Sequence, residues 1–246
     1  MHPQAERGFG RAAEEYERGR PAYPAEAIEW LAGQLDLGQG RTVLDVGAGT
    51  GKLTRALAVT GASLIALEPV APMRAVLERE VPDVQTLAGS AEEIPLGDRS
   101  VHAVVSGQAF HWFDGPRALT EFHRVLRPDG RLGLIWNRRR RDQPLHQAID
   151  AIIECYRQDT PAYHSDVWSR VFEGSSLFAL SNRTEIPSEQ LLDADGLVDR
   201  VLSISYVSAL DGAERAGVES ELRALAQDGL EPLRHITQVF VYSRLK

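Results

Sequence analysis

The stretch that most restricts this 246-residue chain is Val43-Leu44-Asp45-Val46-Gly47-Ala48-Gly49-Thr50-Gly51-Lys52. An apolar run of strand character, 41–46, ends at Val46, and glycines follow at alternate positions. Residues 51–60 then read as a helix with Leu53, Ala56 and Leu57 on one face. Glycine at these positions permits positive φ and lets a ligand approach the backbone closely. The first turn of the following helix leaves N–H groups without intrahelical partners. Strand, glycine turn and helix in this order suit a parallel βαβ unit, and open α/β sheets bind ligands beyond the carboxyl ends of their strands.

The alternation continues. Residues 63–68 read as a second strand, Pro72 opens a helix over 72–80, and 83–88 and 101–106 are further strands. Asp114 can cap a helix over 115–126 whose Leu119, Phe122 and Leu126 share a face. Pro128-Asp129-Gly130 is a turn before a fifth strand, 131–137. The pattern predicts a mostly parallel sheet covered by helices on both faces. Upstream, Phe9, Ala12, Ala13 and Tyr16 give residues 4–18 an amphipathic helix; Pro21 and Pro24 break it, and Pro24 opens a second helix bearing Ile28, Leu31 and Leu35. Beyond Asn137 the pattern loosens. Residues 142–180 read as helical and irregular, with a strand near 183–187 and helices near 189–203 and 211–227. Asp211 and Glu214 form a D-x-x-E capping pattern, and a last strand spans 234–244, its direction undecided by the sequence.

Composition narrows the classes. A chain of this length can bury a large core without covalent staples. The formal charge of −8 argues against general nucleic-acid affinity. The single cysteine, Cys155, excludes an internal disulfide framework and a cysteine-rich zinc module, and no metal site is expected. It fits a reducing cytoplasm. No signal-type apolar segment and no run of the ~20 apolar residues that span a bilayer is visible.

Three ligand classes compete for the glycine loop. Counting from Gly47, the sixth position of a dinucleotide G-x-G-x-x-G falls on Lys52. For a P-loop, Gly51-Lys52 is present, but the first glycine would fall on Val46 and Leu53 replaces the hydroxyl that holds magnesium. The third pattern, D-x-G-x-G-x-G, is complete in Asp45, Gly47, Gly49 and Gly51. It resembles the first motif of class I S-adenosylmethionine (SAM)-dependent methyltransferases.

Further residues add to this. Glu68 ends the second strand, where a carboxylate can accept both hydroxyls of a ribose. Met73 can pack on an adenine face or in the core. Gly89-Ser90-Ala91-Glu92-Glu93-Ile94-Pro95 resembles a G-x-A-E-x-[IL]-P stretch common in small-molecule methyltransferases, and is also compatible with a helix start capped by Ser90. The fourth strand runs into Gln108-Ala109-Phe110-His111-Trp112-Phe113-Asp114, which sets an amide, an imidazole and three aromatic rings at a strand end. Aromatic faces attract cations such as a sulfonium. Amino-directed methyltransferases carry [DNS]-P-P-[YFW] here. Ser106-Gly107-Gln108-Ala109 departs from it, which favours oxygen, carbon or sulfur acceptors.

The resemblance covers most of the first 142 residues. Q-A-F-H-W-F-D followed by R-V-L-R-P-D-G-R-L-G-L-I-W-N, with the upstream Phe9, Tyr16 and Arg20-Pro21-Ala22-Tyr23-Pro24, is similar to the trans-aconitate-type branch of small-molecule methyltransferases. It implies a single Rossmann-like domain with a seven-stranded sheet and an antiparallel last strand. Within it, 1–36 would be a helical lid and 41–137 the SAM-binding core; 138–182 would be a substrate cap and 183–246 the end of the sheet. It also implies site roles. Gly47, Ala48, Gly49 and Gly51 would line the methionine portion of SAM and Asp45 would orient it. Glu68 would hold the ribose, with Met73, Ser90, Ala91 and Glu92 at the adenine, Gln108 beside the cofactor, and Tyr16 and Arg20 closing over the carboxylate. His111 is the candidate general base, a substrate contact or structural. Tyr23, Trp112, Trp136, Asn137 and Arg138 are candidate substrate contacts. The run Arg138–Arg141 suits an anionic small-molecule acceptor, an RNA phosphate contact, which the overall charge puts last, or a solvated loop. Two other classes remain open at this point: a SAM- or nucleoside-binding regulator without turnover, and an NAD-dependent oxidoreductase.

Overall fold

The computed structural model describes residues 13–157, 167–227 and 229–246. Residues 4–12 of the expected first helix, Phe9 among them, lie outside these, as do 158–166 within the expected cap. The elements are α1 (Ala13–Gly19), α2 (Ala25–Leu35), β1 (Thr42–Val46), α3 (Lys52–Leu57), β2 (Ser63–Leu67), α4 (Ala71–Glu80), β3 (Gln85–Leu87), β4 (Val101–Gly107) and α5 (Gly115–Val125). They continue with β5 (Leu126–Arg139), α6 (Pro144–Ile153), α7 (Val167–Glu173), β6 (Phe178–Gln190), α8 (Ala194–Leu202), α9 (Ser205–Ser208), α10 (Gly212–Leu225) and β7 (Leu233–Arg244).

The strands form one seven-stranded sheet in the order β3-β2-β1-β4-β5-β7-β6. β1 to β5 pair in parallel, and β7 is antiparallel to both β5 and β6. Successive residues of the central strands enter opposite cores, as the period of two requires. Leu44, Val104, Leu134 and Trp136 face a core closed by α5, with Phe110, Phe122 and Trp168. Val43, Val105 and Ile135 face the core under α2 and α3, with Ile28, Leu31, Leu53 and Leu57. Central strands are apolar on both faces because both are covered. A third apolar cluster joins α6, α8, α9 and α10, from Ile149 and Ile153 to Leu197, Val201 and Leu222.

Several local expectations change. Pro128-Asp129-Gly130 does not precede the fifth strand but bulges within it: Val101 pairs with Leu126 and Ala103 with Arg131, so the intervening residues loop out. α5 stops at Val125, and Leu126 already belongs to the strand. The strand expected at 183–187 is longer and runs from Phe178 to Gln190, held by β7 along its length; the polar, mostly exposed residues at its ends carry no strand pattern. Asp211 makes no side-chain cap, since Gly212 enters α10 at φ +47°. Asp114 and Asp193 do cap α5 and α8, through the amides of Arg117 and Gly196. No helix starts at Ser90, where Glu93 N instead donates to the Ser90 carbonyl at 3.2 Å.

Candidate active site

The strand order reverses between β1 and β4. The chain runs outward from β1 to β3 and then returns to β4 on the other side of β1. Two loops therefore diverge from neighbouring strand ends and open a crevice, the usual ligand position in such sheets. Val46 leads into the glycine loop on one side of it, and Gly107 into Gln108 on the other.

Gly47, Gly49 and Gly51 have φ of +68°, +61° and +87°. A β-carbon on Gly47 would meet that of Ala109 at 2.8 Å, and one on Gly51 would meet Val81 at 2.8 Å. Nothing lies within 4 Å of the corresponding point on Gly49, which is open to a ligand. The turn is held by Gly47 N and Ala48 N, which both donate to the Leu67 carbonyl.

Asp45 and Glu68 lie behind this loop, 2% and 3% exposed. Asp45 Oδ2 accepts from Thr54 Oγ1 at 2.6 Å, while Oδ1 is buried with no partner among the described residues. Burial pushes the Asp45 carboxyl up to about 7, against the pull of the Thr54 hydroxyl and with help from the nearby Glu68 charge. Glu68 accepts from Gly49 N at 2.8 Å and Val70 N at 2.8 Å. Burial raises its carboxyl too, and those two amides oppose the rise. Thr50 Oγ1 is likewise buried without a partner. Orphaned acceptors beside an open glycine form a polar cradle that fits the amino-acid end of a nucleoside cofactor.

Two cavities adjoin at the crevice. The smaller, about 40 Å³, is lined by Asp45, Gly47, Ala48, Gly49, Thr50, Lys52, Tyr23 and Gly107. The larger, about 440 Å³, is lined by His111, Trp112, Arg138–Arg141, Asp142, Arg157, Glu185, Ile204, Ser205, Tyr206, Ile236 and Gln238. Tyr16, Arg20, Gln108, Asn137 and Arg200 line both. Gln108 has φ +59°, a conformation that costs a non-glycine residue energy and recurs at functional sites. Its amide donates to Ile135 O at 3.0 Å, which turns the chain out of β4. His111 packs against Trp112, ring centres 4.8 Å apart. Arg20 lies over the Tyr16 ring at 4.9 Å and is fixed by Ser203, Nε to Oγ at 2.9 Å and a terminal nitrogen to the carbonyl at 2.8 Å. α1 reaches the loop from above, Lys52 Nζ donating to the Glu17 carbonyl at 2.5 Å.

Of the residues singled out in the sequence, Tyr16, Arg20, Tyr23, Asp45, Gly47, Ala48, Gly49, Gln108, His111, Trp112, Asn137 and Arg138 line one or both cavities. Tyr23, expected at the acceptor, lines the smaller cavity instead. Asn137 has its side chain engaged: Oδ1 accepts from Thr237 at 2.7 Å, and Nδ2 donates to Ala22 O at 3.2 Å. It thereby positions the Arg20–Tyr23 segment. Trp136, expected at the acceptor, faces the opposite side of β5 because neighbours on a strand alternate; it is buried against Trp168 at 4.4 Å. Met73 packs with Ala13, Val70, Val76 and Tyr16 and lines neither cavity. Ser90, Ala91 and Glu92 also lie off both walls, with Ala91 in the core and Glu92 Oε1 accepting from Asp114 N at 3.0 Å. Sequence reasoning missed Arg200, Glu185, Tyr206 and Gln238. For Arg200 a signal existed: it interrupts the apolar face of α8 between Leu197 and Val201.

A methyltransferase domain model matches residues 44–134, spanning β1 to β5. An uncharacterized methyltransferase-like protein of Schizosaccharomyces pombe is 35% identical over 214 residues, covering 87% of this chain and 83% of that protein. An uncharacterized methyltransferase of Mycobacterium tuberculosis is 53% identical over 131 residues, covering 53% of this chain and 52% of that protein. The chain thus spans about half the length of that relative. A solved structure from Anaeromyxobacter dehalogenans, proposed as a type II methyltransferase, superposes with a TM-score of 0.64 at 24% identity, covering 92% of this chain and 97% of that one. No helix of the described residues is long and apolar enough to cross a membrane. With the complete D-x-G-x-G-x-G loop at the switch point of this sheet, these relationships mean that the chain belongs to the class I SAM-dependent methyltransferase family.

Proposed function

We propose that this chain moves a methyl group from SAM to an oxygen of a small anionic acceptor, a carboxylate or a hydroxyl. One observation carries the reading: the glycine-loop cleft, with its orphaned Asp45 Oδ1, adjoins a 440 Å³ chamber rich in arginine, and Gln108 belongs to both walls. Arg20, Arg138–Arg141, Arg157 and Arg200 line that wall with two acids, Asp142 and Glu185, among the described residues, while Arg139 and Arg157 also pair with Asp150 and Glu154 outside it. A field of this sign gathers anions although the whole chain is acidic. The resemblance to the trans-aconitate-type branch points the same way.

When bound, SAM supplies an electrophilic methyl on a sulfonium. Asp45 and the glycine-loop amides would hold its amino-acid end, Glu68 its ribose, and Ser90 to Glu92 the adenine side, with Tyr16 and Arg20 above. Residues 1–36 and 138–182 would cover the site. The protein's main task is to hold the acceptor oxygen in line and dry, which can be worth roughly 7–11 kcal/mol. A carboxylate acceptor arrives ionised and needs no base. For a hydroxyl, His111 in the chamber wall would take the proton.

The test is a screen of carboxylic acids, phenols and alcohols with methyl-labelled SAM. Label in a methyl ester or methyl ether of an anionic acceptor supports the reading. Binding of SAM with no label in any acceptor favours a regulator without turnover.

A further inference from the structure

Arg200 stands in an unusual environment. It lies on the apolar side of α8, 5% exposed, and lines both cavities. Its Nε is fully buried without a partner, and no ion pair joins its guanidinium to a carboxylate among the described residues. Neighbouring arginines are provided for. Arg18 is paired bidentately with Asp199 at 2.7 and 3.0 Å, Arg139 lies 2.8 Å from Asp150, and Arg20 is fixed by Ser203. The cations Arg20 and Arg139 and the phenols of Tyr16 and Tyr206 are near enough to act on its charge. His146 and His235 lie close behind, both buried and both pushed down by burial, to about 4 and about 3, so they stay neutral at neutral pH. Guanidinium does not shed its proton to escape burial as an amine does. A buried charge with like charges around it and no counter-ion destabilises the fold unless something brings the missing anion.

We propose that Arg200 anchors an oxyanionic group of the acceptor, carboxylate or phosphate, distinct from the oxygen that is methylated. The proposal rests on the methyltransferase reading for the word acceptor, but the anion site stands on Arg200 itself. A second carboxylate, that of the cofactor, is the other available source. Placement favours the acceptor: Arg139 and Tyr206, which share the Arg200 environment, line only the larger chamber. Arg20, which also lines both cavities, is already stacked on Tyr16 and fixed by Ser203. The fork of a guanidinium accepts an oxyanion through two parallel bonds, which fixes orientation as well as charge. Arg200 therefore selects acceptors that carry an anion at one end and the reacting oxygen at the other.

Wild type and Arg200→Met are compared by calorimetry in saturating S-adenosylhomocysteine, with glutarate, citrate and inorganic phosphate as probes. At least one probe should bind wild type and bind the variant roughly tenfold or more weakly, the loss expected when a charged hydrogen-bond partner is removed. The melting temperature of the free variant should equal or exceed that of wild type, since an uncompensated buried charge has gone. That reading also shows that the variant is folded. Probe binding unchanged by the substitution, or wild type binding none of the probes, overturns the proposal. So does a variant that loses S-adenosylhomocysteine but keeps 5′-methylthioadenosine, which lacks the carboxylate; this assigns Arg200 to the cofactor. If wild type fails to bind S-adenosylhomocysteine, the methyltransferase reading falls, and the same titrations without it still decide whether Arg200 holds an anion.

Discussion

Asp45 is near half-titration at neutral pH, because burial pushes its carboxyl up to about 7. A native value above the ordinary one means that the protonated form favours folding. This stabilisation is complete below the ordinary carboxylate range and is lost as pH rises through about 7. Asp45→Asn should therefore flatten the stability profile of the free protein between pH 4 and pH 8, as read by thermal melts. Ligand binding should move the other way. The ammonium of S-adenosylhomocysteine favours ionised Asp45, so affinity should rise by up to about tenfold from pH 6 to pH 8. A flat affinity profile in wild type would remove Asp45 from the ligand's amino group. Glu68 has a different part, since its carboxylate already holds Gly49 N and Val70 N. Glu68→Ala should weaken S-adenosylhomocysteine by about one to two decades. Unchanged affinity in calorimetry would take Glu68 out of the site.

Helix α1 joins the two halves of the molecule over the crevice. Glu17 meets Lys52 and Arg55 on the glycine-loop side, and Arg18 and Glu15 meet Asp199 and Arg215 on the other. Gly19 allows this crossing: a β-carbon there would fall 2.3 Å from Arg200 N and 2.4 Å from the Asp199 carbonyl carbon. Gly19→Val must push α1 from α8, costing about 1–3 kcal/mol as overpacking does. It should also weaken S-adenosylhomocysteine, because Tyr16 and Arg20 move with the helix. A melt and an affinity equal to wild type would show that α1 does not hold the cleft closed. The sequence displays β1 to β4 and α2 to α5 because period-two and period-3.6 apolar patterns survive there with glycine and proline at the joints. It shows only the middle of β6, near 183–187, and hides its two ends, whose polar, exposed residues are held mainly by pairing to β7. The site divides likewise. Residues on the β1 and β4 ends are legible because motif and cavity lining coincide in a few consecutive positions. The chamber's far wall, Glu185, Arg200, Tyr206 and Gln238, comes from elements distant in the chain that only folding brings together.

Across the whole molecule, one sheet carries two adjoining cavities on neighbouring strand ends: a cradle built by backbone and carboxylates, and an arginine-lined chamber within an acidic protein. A ligand that binds only the folded chain stabilises it by mass action, by about 2.7 kcal/mol at a hundred times its Kd. For a domain of this size that corresponds to a rise in melting temperature of roughly 5–11 °C. S-adenosylhomocysteine should produce this shift, and NAD should not. The decisive experiment is calorimetric titration of the purified chain with S-adenosylhomocysteine. The glycine-loop site predicts saturable one-to-one binding; no detectable association at millimolar ligand would contradict it.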